Sequence, residues 1–282
     1  MKDFRKKAFS WLVVFKVIGH LLFVMGPKTK YYNHLSKKGK NEKCDAFAFK
    51  AVKKWAKFVV HSAKLNITVE GLDKVPTDRP ILFTPNHQSY ADIPVLLYAL
   101  SDFYFGFMMK ISLAGVPFIG SISKMLKSVP VNQENPREAV KAIHKTIENI
   151  ESGHSMLIFP EGKRGYSNTP DEFKNGAFKI VQKTNVTVVP VYIRNVFKVL
   201  EGSDGVVTPT DIKVTILDPI ETKDMTRADV KDLHDRVYNV ILEESKKYKE
   251  HAVGQEGRQD GAEEYWLRGR RVSKKQEGKL GN

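Results

Sequence analysis

An α/β domain carried behind a basic segment of two helices is the fold this sequence predicts, and three observations predict it. From residue 66 onward, short apolar runs of strand length alternate with stretches of helical spacing. Before that point long apolar runs and lysines share the same 64 residues, and after residue 248 the sequence turns polar and glycine-containing. A chain of 282 residues that is 41% hydrophobic can bury one sizeable core. The reading is a helical segment at 1–64, one α/β domain at 65–248 and a polar basic tail at 249–282, expected to be disordered.

Charge separates these parts. Residues 1–64 hold 16 Lys and Arg against 3 Asp and Glu, a net +13, whereas the rest of the chain holds 30 against 29. Positive charge concentrated on the segment richest in apolar runs fits an anionic membrane surface. A nucleic-acid binder would spread its basic patch over the folded domain, so no nucleic-acid partner is expected. The single cysteine, Cys44, excludes an intramolecular disulfide and a Cys-based zinc site, which points to a reducing, cytosol-exposed setting.

Within the first segment, Ala8 to Met25 reads AFSWLVVFKVIGHLLFVM after the basic start MKDFRKK. Its length approaches a membrane span, but Lys16 and His20 lie inside it, and a central charge in hydrocarbon costs a few kcal/mol. No small-residue cleavage site follows, so a removed signal peptide is not expected. Asp45 to Leu65 sets Phe47, Phe49, Val52, Trp55, Phe58, Val59 and Val60 among Lys50, Lys53, Lys54, Lys57 and Lys64 at helical spacing. A basic amphipathic helix with aromatic residues suits a membrane interface. The polar link Lys28 to Lys43 would let the two helices form a hairpin in one leaflet.

In the domain, strands are expected at Asn66–Glu70, Pro80–Thr84, Phe103–Met109, Val129–Val131, Ser155–Phe159, Val186–Ile193 and Lys213–Leu217. Helices are expected at Ala91–Leu100, Pro136–Glu151, Asp171–Lys183 and Arg227–Tyr248. In the tail a basic cluster, Arg268, Arg270 and Arg271, stands beside Tyr265 and Trp266 and could touch membrane.

The chemistry begins where the strand PILFTP ends, at Asn86-His87-Gln88-Ser89-Tyr90-Ala91-Asp92. Active groups in α/β sheets commonly occupy loops at strand ends. Asp92 lies five residues beyond His87, and a turn from loop into helix can bring its carboxylate to the imidazole, fixing the tautomer and leaving the other nitrogen free to accept a proton. A second turn, Pro160-Glu161-Gly162-Lys163-Arg164-Gly165-Tyr166, follows the strand SMLIF. Its glycines permit close backbone approach, and Lys163 beside Arg164 offers a phosphate clamp, bidentate in the case of Arg. Glu161 could accept a hydrogen bond from substrate or lock the turn by pairing with Arg164. No Gly-x-Ser-x-Gly turn supports a serine hydrolase, and a nucleophilic Ser89 is disfavoured.

These motifs resemble those of the glycerolipid acyltransferases. The family's first motif, Asn-His with Asp five residues after the His, is met by Asn86, His87 and Asp92, with Ser89 also typical. Its third motif is met by Phe159, Pro160, Glu161, Gly162, Arg164 and Gly165, with Lys163 in place of the usual Thr. Val188 to Val191 resembles the fourth motif, and Lys174, Gly176 and Ala177 look like residues that stand between these two. The second motif departs from the pattern: Val129 to Gln133 puts Gln133 where Arg is expected. Lys110, followed by Pro117 and Gly120, fits the Lys that precedes it. The likeness covers roughly residues 66–220.

The resemblance implies a single mixed-sheet acyltransferase domain acting at the cytosolic face of a membrane. It implies transfer of a fatty acyl group from an activated thioester, with acyl-coenzyme A or acyl carrier protein as co-substrate and no cofactor or metal. The implied acceptor is the free hydroxyl of lysophosphatidate, giving phosphatidate; another lysophospholipid or glycerol-3-phosphate comes next. His87 is the implied general base with Asp92 behind it, and Lys110, Glu161, Gly162, Lys163 and Arg164 are the implied substrate-binding residues. A non-enzymatic protein that binds anionic lipid would account for the basic helices but not for the His87 and Asp92 pair.

Overall fold

The computed structural model describes residues 2–248, 264–267 and 270–273. The chain opens on a helix, α1 (Lys2–His20), which passes through a π-helical turn at Leu21–Met25 into α2 (Gly26–Lys37). The expected polar link is thus mostly helical, and only Lys38 to Lys40 turn the chain back into α3 (Asn41–Ser62). The two arms are antiparallel. Tyr31 meets Phe47, His20 stacks on Phe58, and Phe9 lies under Lys64, so position along one arm rises as it falls along the other.

The second arm corrects the interfacial reading of Asp45 to Leu65. Its buried positions, Cys44, Ala48, Ala51, Val52, Ala56 and Val60, form one helical stripe that packs on the domain, principally on α4 (Asp92–Ala99), and belongs to the main core. Small residues let the helix axes approach closely, while Lys50, Lys53, Lys54 and Lys57 keep to the exposed side. An ion pair between Asp45 and Lys127 and one between Lys53 and Asp102 bind the arm further. Residues through Lys246 therefore make one compact unit.

Seven strands form one sheet: β1 (Asn66–Glu70), β2 (Ile81–Pro85), β3 (Phe105–Lys110), β4 (Val129–Val131), β5 (Ser155–Leu157), β6 (Thr187–Arg194) and β7 (Asp211–Ile216). The order is β1-β7-β6-β2-β5-β3-β4, with β6 and β7 antiparallel and every other neighbouring pair parallel, so the sheet is mixed as expected. Strand β2 alternates as a central strand must: Ile81 and Phe83 join the core under α3 and α4, while Leu82 faces the opposite side. That side is covered by α7 (Pro136–Glu151) and α9 (Arg227–Lys246). Asn135 starts α7 by accepting from the backbone of Arg137 and Glu138, with Pro136 at the first helical position.

Two segments differ from the reading. The helix expected at Asp171–Lys183 is a 3-10 segment at Asn175–Ile180 followed by the short α8 (Val181–Thr184), because the Lys174 backbone N–H is drawn to the Pro160 carbonyl at 3.0 Å. Between β3 and β4 the chain makes two unanticipated short helices, α5 (Ile111–Ala114) and α6 (Ile119–Met125). Within the tail, Glu264–Leu267 (β8) and Arg270–Ser273 (β9) form an antiparallel pair, and the rest of 249–282 lies outside the described residues.

Ala56 is fully buried in the α3 stripe. Ala56→Leu is expected to destabilise the protein by about 1–3 kcal/mol through overpacking, read as a lowered urea midpoint with an unchanged slope. A neutral result would show that α3 is not seated as the structure has it.

Candidate active site

Strand β2 ends at Pro85, and the next residues are bolted to β6 by side chains that imitate a backbone ladder. Asn86 accepts from the Ile193 N–H at 2.7 Å and donates to the Ile193 carbonyl at 3.1 Å. Gln88 donates to the same carbonyl at 2.9 Å and accepts from the Val196 N–H at 2.8 Å. Both side chains are buried, so these bonds satisfy groups that water cannot reach. His87 stands between the two anchors.

Asp92 is fully buried as the first residue of α4. One of its oxygens, Oδ2, accepts from His87 Nδ1 at 2.7 Å, from the Gln88 N–H at 2.6 Å and from the Ser89 N–H at 3.0 Å. Burial pushes the Asp92 carboxyl up from its ordinary value, opposed by the hydrogen bonds from His87, Ser89 and Gln88. A carboxylate can only accept, so the imidazole carries its proton on Nδ1, and Nε2 has no partner among the described residues. The ring is a fifth exposed and stacks on Phe159 at 3.9 Å, which limits it to one plane.

The second turn is knitted onto the first. Glu161 Oε1 accepts from the His87 backbone N–H at 2.9 Å, and the Gly165 N–H donates to the His87 carbonyl at 2.8 Å. Gly162 takes φ +68°, a conformation open to glycine at little cost, and a Cβ there would meet Lys174 Nζ at 3.1 Å. Glu161 does not pair with Arg164, contrary to the locking role considered for it. Its Oε2 is buried without a hydrogen-bond partner among the described residues. Burial first, then the neighbouring charges of Asp171 and Asp92, push its carboxyl up to about 8.

Both cations of this turn already face carboxylates. Lys163 pairs with Asp171 at 3.1 Å, and Arg164 Nη1 donates to Glu201 Oε1 at 2.9 Å. The guanidinium lies over the Tyr90 ring at 3.6 Å and near the Tyr166 ring at 5.1 Å. Lys110 ends β3, is exposed, and forms no ion pair among the described residues. Two strand spacings separate it from His87 along the carboxyl edge of the sheet, about 10 Å. Gln133 is exposed beyond β4. Ser89 is fully buried, with its Oγ donating to Glu201 and accepting from the Ala91 N–H, an arrangement that holds a turn rather than presents a nucleophile. No group of three His, Cys, Asp or Glu that could hold a metal ion occurs among the described residues.

The bracing roles of Asn86 and Gln88 and the involvement of Glu201 were not anticipated. Glu201 lies outside every motif, and no local pattern marks it. Asn86 and Gln88 do carry a signal: two amides flanking a histidine at a strand end are suited to pairing with backbone on both sides.

Comparison with known proteins finds relatives of this chain. Residues 66–194 match the family model described as Acyltransferase. A chloroplastic 1-acyl-sn-glycerol-3-phosphate acyltransferase of Arabidopsis thaliana is 30% identical over 214 residues, 75% of this chain and 55% of that one. A second, from Brassica napus, is 36% identical over 154 residues, 54% of this chain and 44% of that one, so the chain spans about half the length of these relatives. The crystal structure of the 1-acyl-sn-glycerophosphate acyltransferase from Thermotoga maritima shares the fold, with TM-score 0.76 and 24% identity over 88% of this chain and 98% of that one.

Glu161 generates a pH prediction. Its folded-state pKa of about 8 exceeds the ordinary 4.5, so the folded chain holds this proton more tightly than the unfolded chain. The contribution of this group to stability is therefore full at low pH and is lost as pH rises through that window. Glu161→Gln keeps the acceptor for the His87 N–H and removes the titration. The stability difference between variant and wild type should grow in the variant's favour across that interval and level off above it, as read by thermal unfolding at a series of pH values. A difference independent of pH would show that Glu161 titrates normally.

Proposed function

We propose that this chain, whose residues 66–194 match the family model described as Acyltransferase, transfers a fatty acyl group from an activated thioester to the free hydroxyl of lysophosphatidate, giving phosphatidate. The observation that carries the reading is the His87 and Asp92 pair: Nδ1 is tied to a buried carboxylate at 2.7 Å while Nε2, at the carboxyl end of the strands, has no partner among the described residues. The acceptor oxygen attacks the thioester carbonyl as Nε2 takes its proton. The tetrahedral intermediate then expels the thiolate, which recovers that proton from the imidazolium. Asp92 supports the cation that forms between these steps. No residue need be acylated, which agrees with the buried, committed Ser89 hydroxyl. The acceptor is the molecule named for the relatives, and Lys110 and Arg164 are the cations on this edge suited to its phosphate.

The membrane reading rests on α1. Trp11, Phe15, Ile18 and Leu22 follow one another at helical spacing and are 62%, 67%, 47% and 48% exposed, and Phe23 is 81% exposed. The helix Asp3–Lys37 has a window of mean hydropathy 2.0 and is apolar and long enough to cross a membrane. Its antiparallel partner α3 keeps four lysines exposed alongside it, and hydrocarbon would not accept them, so α1 is read as lying in one leaflet. The turn after Lys110 extends the apolar surface toward the site, with Ile111, Val116 and Ile119 exposed and Phe118 close to Gly26. The cytosolic leaflet suits the basic flank.

His87→Ala is expected to lower acyl transfer by at least about a hundredfold with little change in thermal stability, and Asp92→Asn to lose most activity. Transfer of labelled acyl chain from acyl-coenzyme A and from acyl carrier protein, each tested with lysophosphatidate, measures this. A His87→Ala rate above about a tenth of wild type would remove His87 as the base. Replacing Trp11 and Phe15 together by Asp should release the protein from phospholipid vesicles in co-sedimentation, whereas high salt should not strip the wild type, because apolar insertion is unscreened. A variant that sediments as well as wild type would refute the α1 anchor.

A further inference from the structure

We infer that Glu201 is a positioning residue that fixes Arg164 beside the His87 turn so that its remaining N–H groups receive the acceptor's phosphate. This rests on the acceptor reading above. Glu201 opens a 3-10 turn, Glu201–Ser203, in the long connection between β6 and β7. Its two oxygens are held by three donors from two different loops. Oε1 accepts from Arg164 Nη1 at 2.9 Å and from the Tyr90 N–H at 3.1 Å, and Oε2 accepts from Ser89 Oγ at 2.5 Å. One carboxylate therefore joins the turn that carries the general base to the turn that carries the cation.

Two roles are open to a carboxylate placed on a phosphate-binding arginine. It can occupy the anion's place and leave when substrate arrives, or it can stay and aim the guanidinium. The surroundings favour staying. Departure would strip Ser89 Oγ, in a fully buried residue, of its acceptor, and such orphaned groups are costly. The turn itself is held at both sides, by Gln88 Oε1 accepting from the Val196 N–H at 2.8 Å and by Ser10 Oγ of α1 accepting from the Val207 N–H at 2.9 Å. Gly202 packs so closely on Phe197 that a Cβ would lie 3.0 Å from the ring. Guanidinium presents five N–H groups, and Glu201 accepts from one nitrogen, Nη1. The Tyr90 ring at 3.6 Å and the Tyr166 ring at 5.1 Å restrict motion out of its plane. The free edge is thereby aimed while His87 is held separately, since Asp92 binds the Gln88 and Ser89 N–H groups without help from Glu201.

This separation supplies the test. Steady-state kinetics of the full-length protein, with lysophosphatidate in mixed micelles and the acyl donor varied independently, should show Glu201→Ala raising the acceptor KM about tenfold. The donor KM and kcat should stay within about threefold, and Glu201→Gln should recover much of the loss, because its amide oxygen can still accept from Arg164. In an Arg164→Ala background, adding Glu201→Ala should change the acceptor KM no further. An acceptor KM that is unchanged or lowered by Glu201→Ala overturns the proposal, the lowered value indicating a competing anion. A full further loss in the Arg164→Ala background also overturns it, as does a fall in kcat that tracks a fall in Tm. If wild type does not acylate lysophosphatidate, the acceptor reading fails instead, and the same cycle measured with the lysophospholipid it does use still decides the role of Glu201.

Discussion

A carboxylate sealed from water at the start of a helix constrains everything around it. Asp92 has no exposure, and an ion so placed is tolerable only where hydrogen-bond donors and a helix amino terminus meet it. The chain supplies them by wrapping residues 87–89 around one oxygen, which sets the path of the loop and leaves the imidazole a single orientation. The wrapped loop must then be attached to the sheet, and Asn86 and Gln88 attach it by pairing with the end of β6. His87 thus owes its direction to the burial of Asp92 and its position to β6. Of the groups in this arrangement, the ring's far nitrogen is one left without a partner.

A second consequence is electrostatic. The turn after β5 brings Glu161 under the His87 backbone, where the carboxyl is desolvated and drawn toward its neutral form, so it adds little negative charge beside Asp92. Lys163 and Arg164 come with their own counter-ions, Asp171 and Glu201. The paired charges of the site accordingly offset one another, and Lys110 on β3 and Lys174 beside Gly162 are cations with no ion pair among the described residues. On the proposed reading, a phosphate would meet a prearranged guanidinium edge rather than a diffuse basic patch. Such preorganisation favours fixed geometry over long-range attraction.

The legible part of this structure was the part governed by local pattern. Central parallel strands are apolar on both faces, so ILFTP, SML and TVVPVYIR stood out as runs, and their ends were misplaced by only one or two residues in most cases. The His-to-Asp spacing pointed to the pair because five residues suffice to turn from a strand end into a helix. Glu201 was not legible, since it reaches Ser89 and Arg164 across a connection whose course depends on tertiary packing. The face of α3 was misjudged for a related reason: Phe47, Trp55 and Phe58 advertise an interface, whereas the stripe that docks is built from Ala48, Ala51 and Ala56, small residues that carry little hydrophobic signal.

That docking has a further implication for how the site meets lipid. Because α3 is seated in the core along one face, the amino-terminal arms cannot swing as a tether; α1, laid along α3, is held in a set relation to the sheet. Its exposed apolar residues and those of the turn after Lys110 then define one surface, joined where Phe118 approaches Gly26. On the proposed reading lysophosphatidate and its diacyl product both prefer the bilayer, and a base free to reorient would meet the acceptor hydroxyl at random depth. A rigid arm removes that freedom. On the proposed reading, the depth at which α1 sits sets the height of His87 above the hydrocarbon, and the connection that carries Glu201, tied to α1 through Ser10, transmits the same height to Arg164.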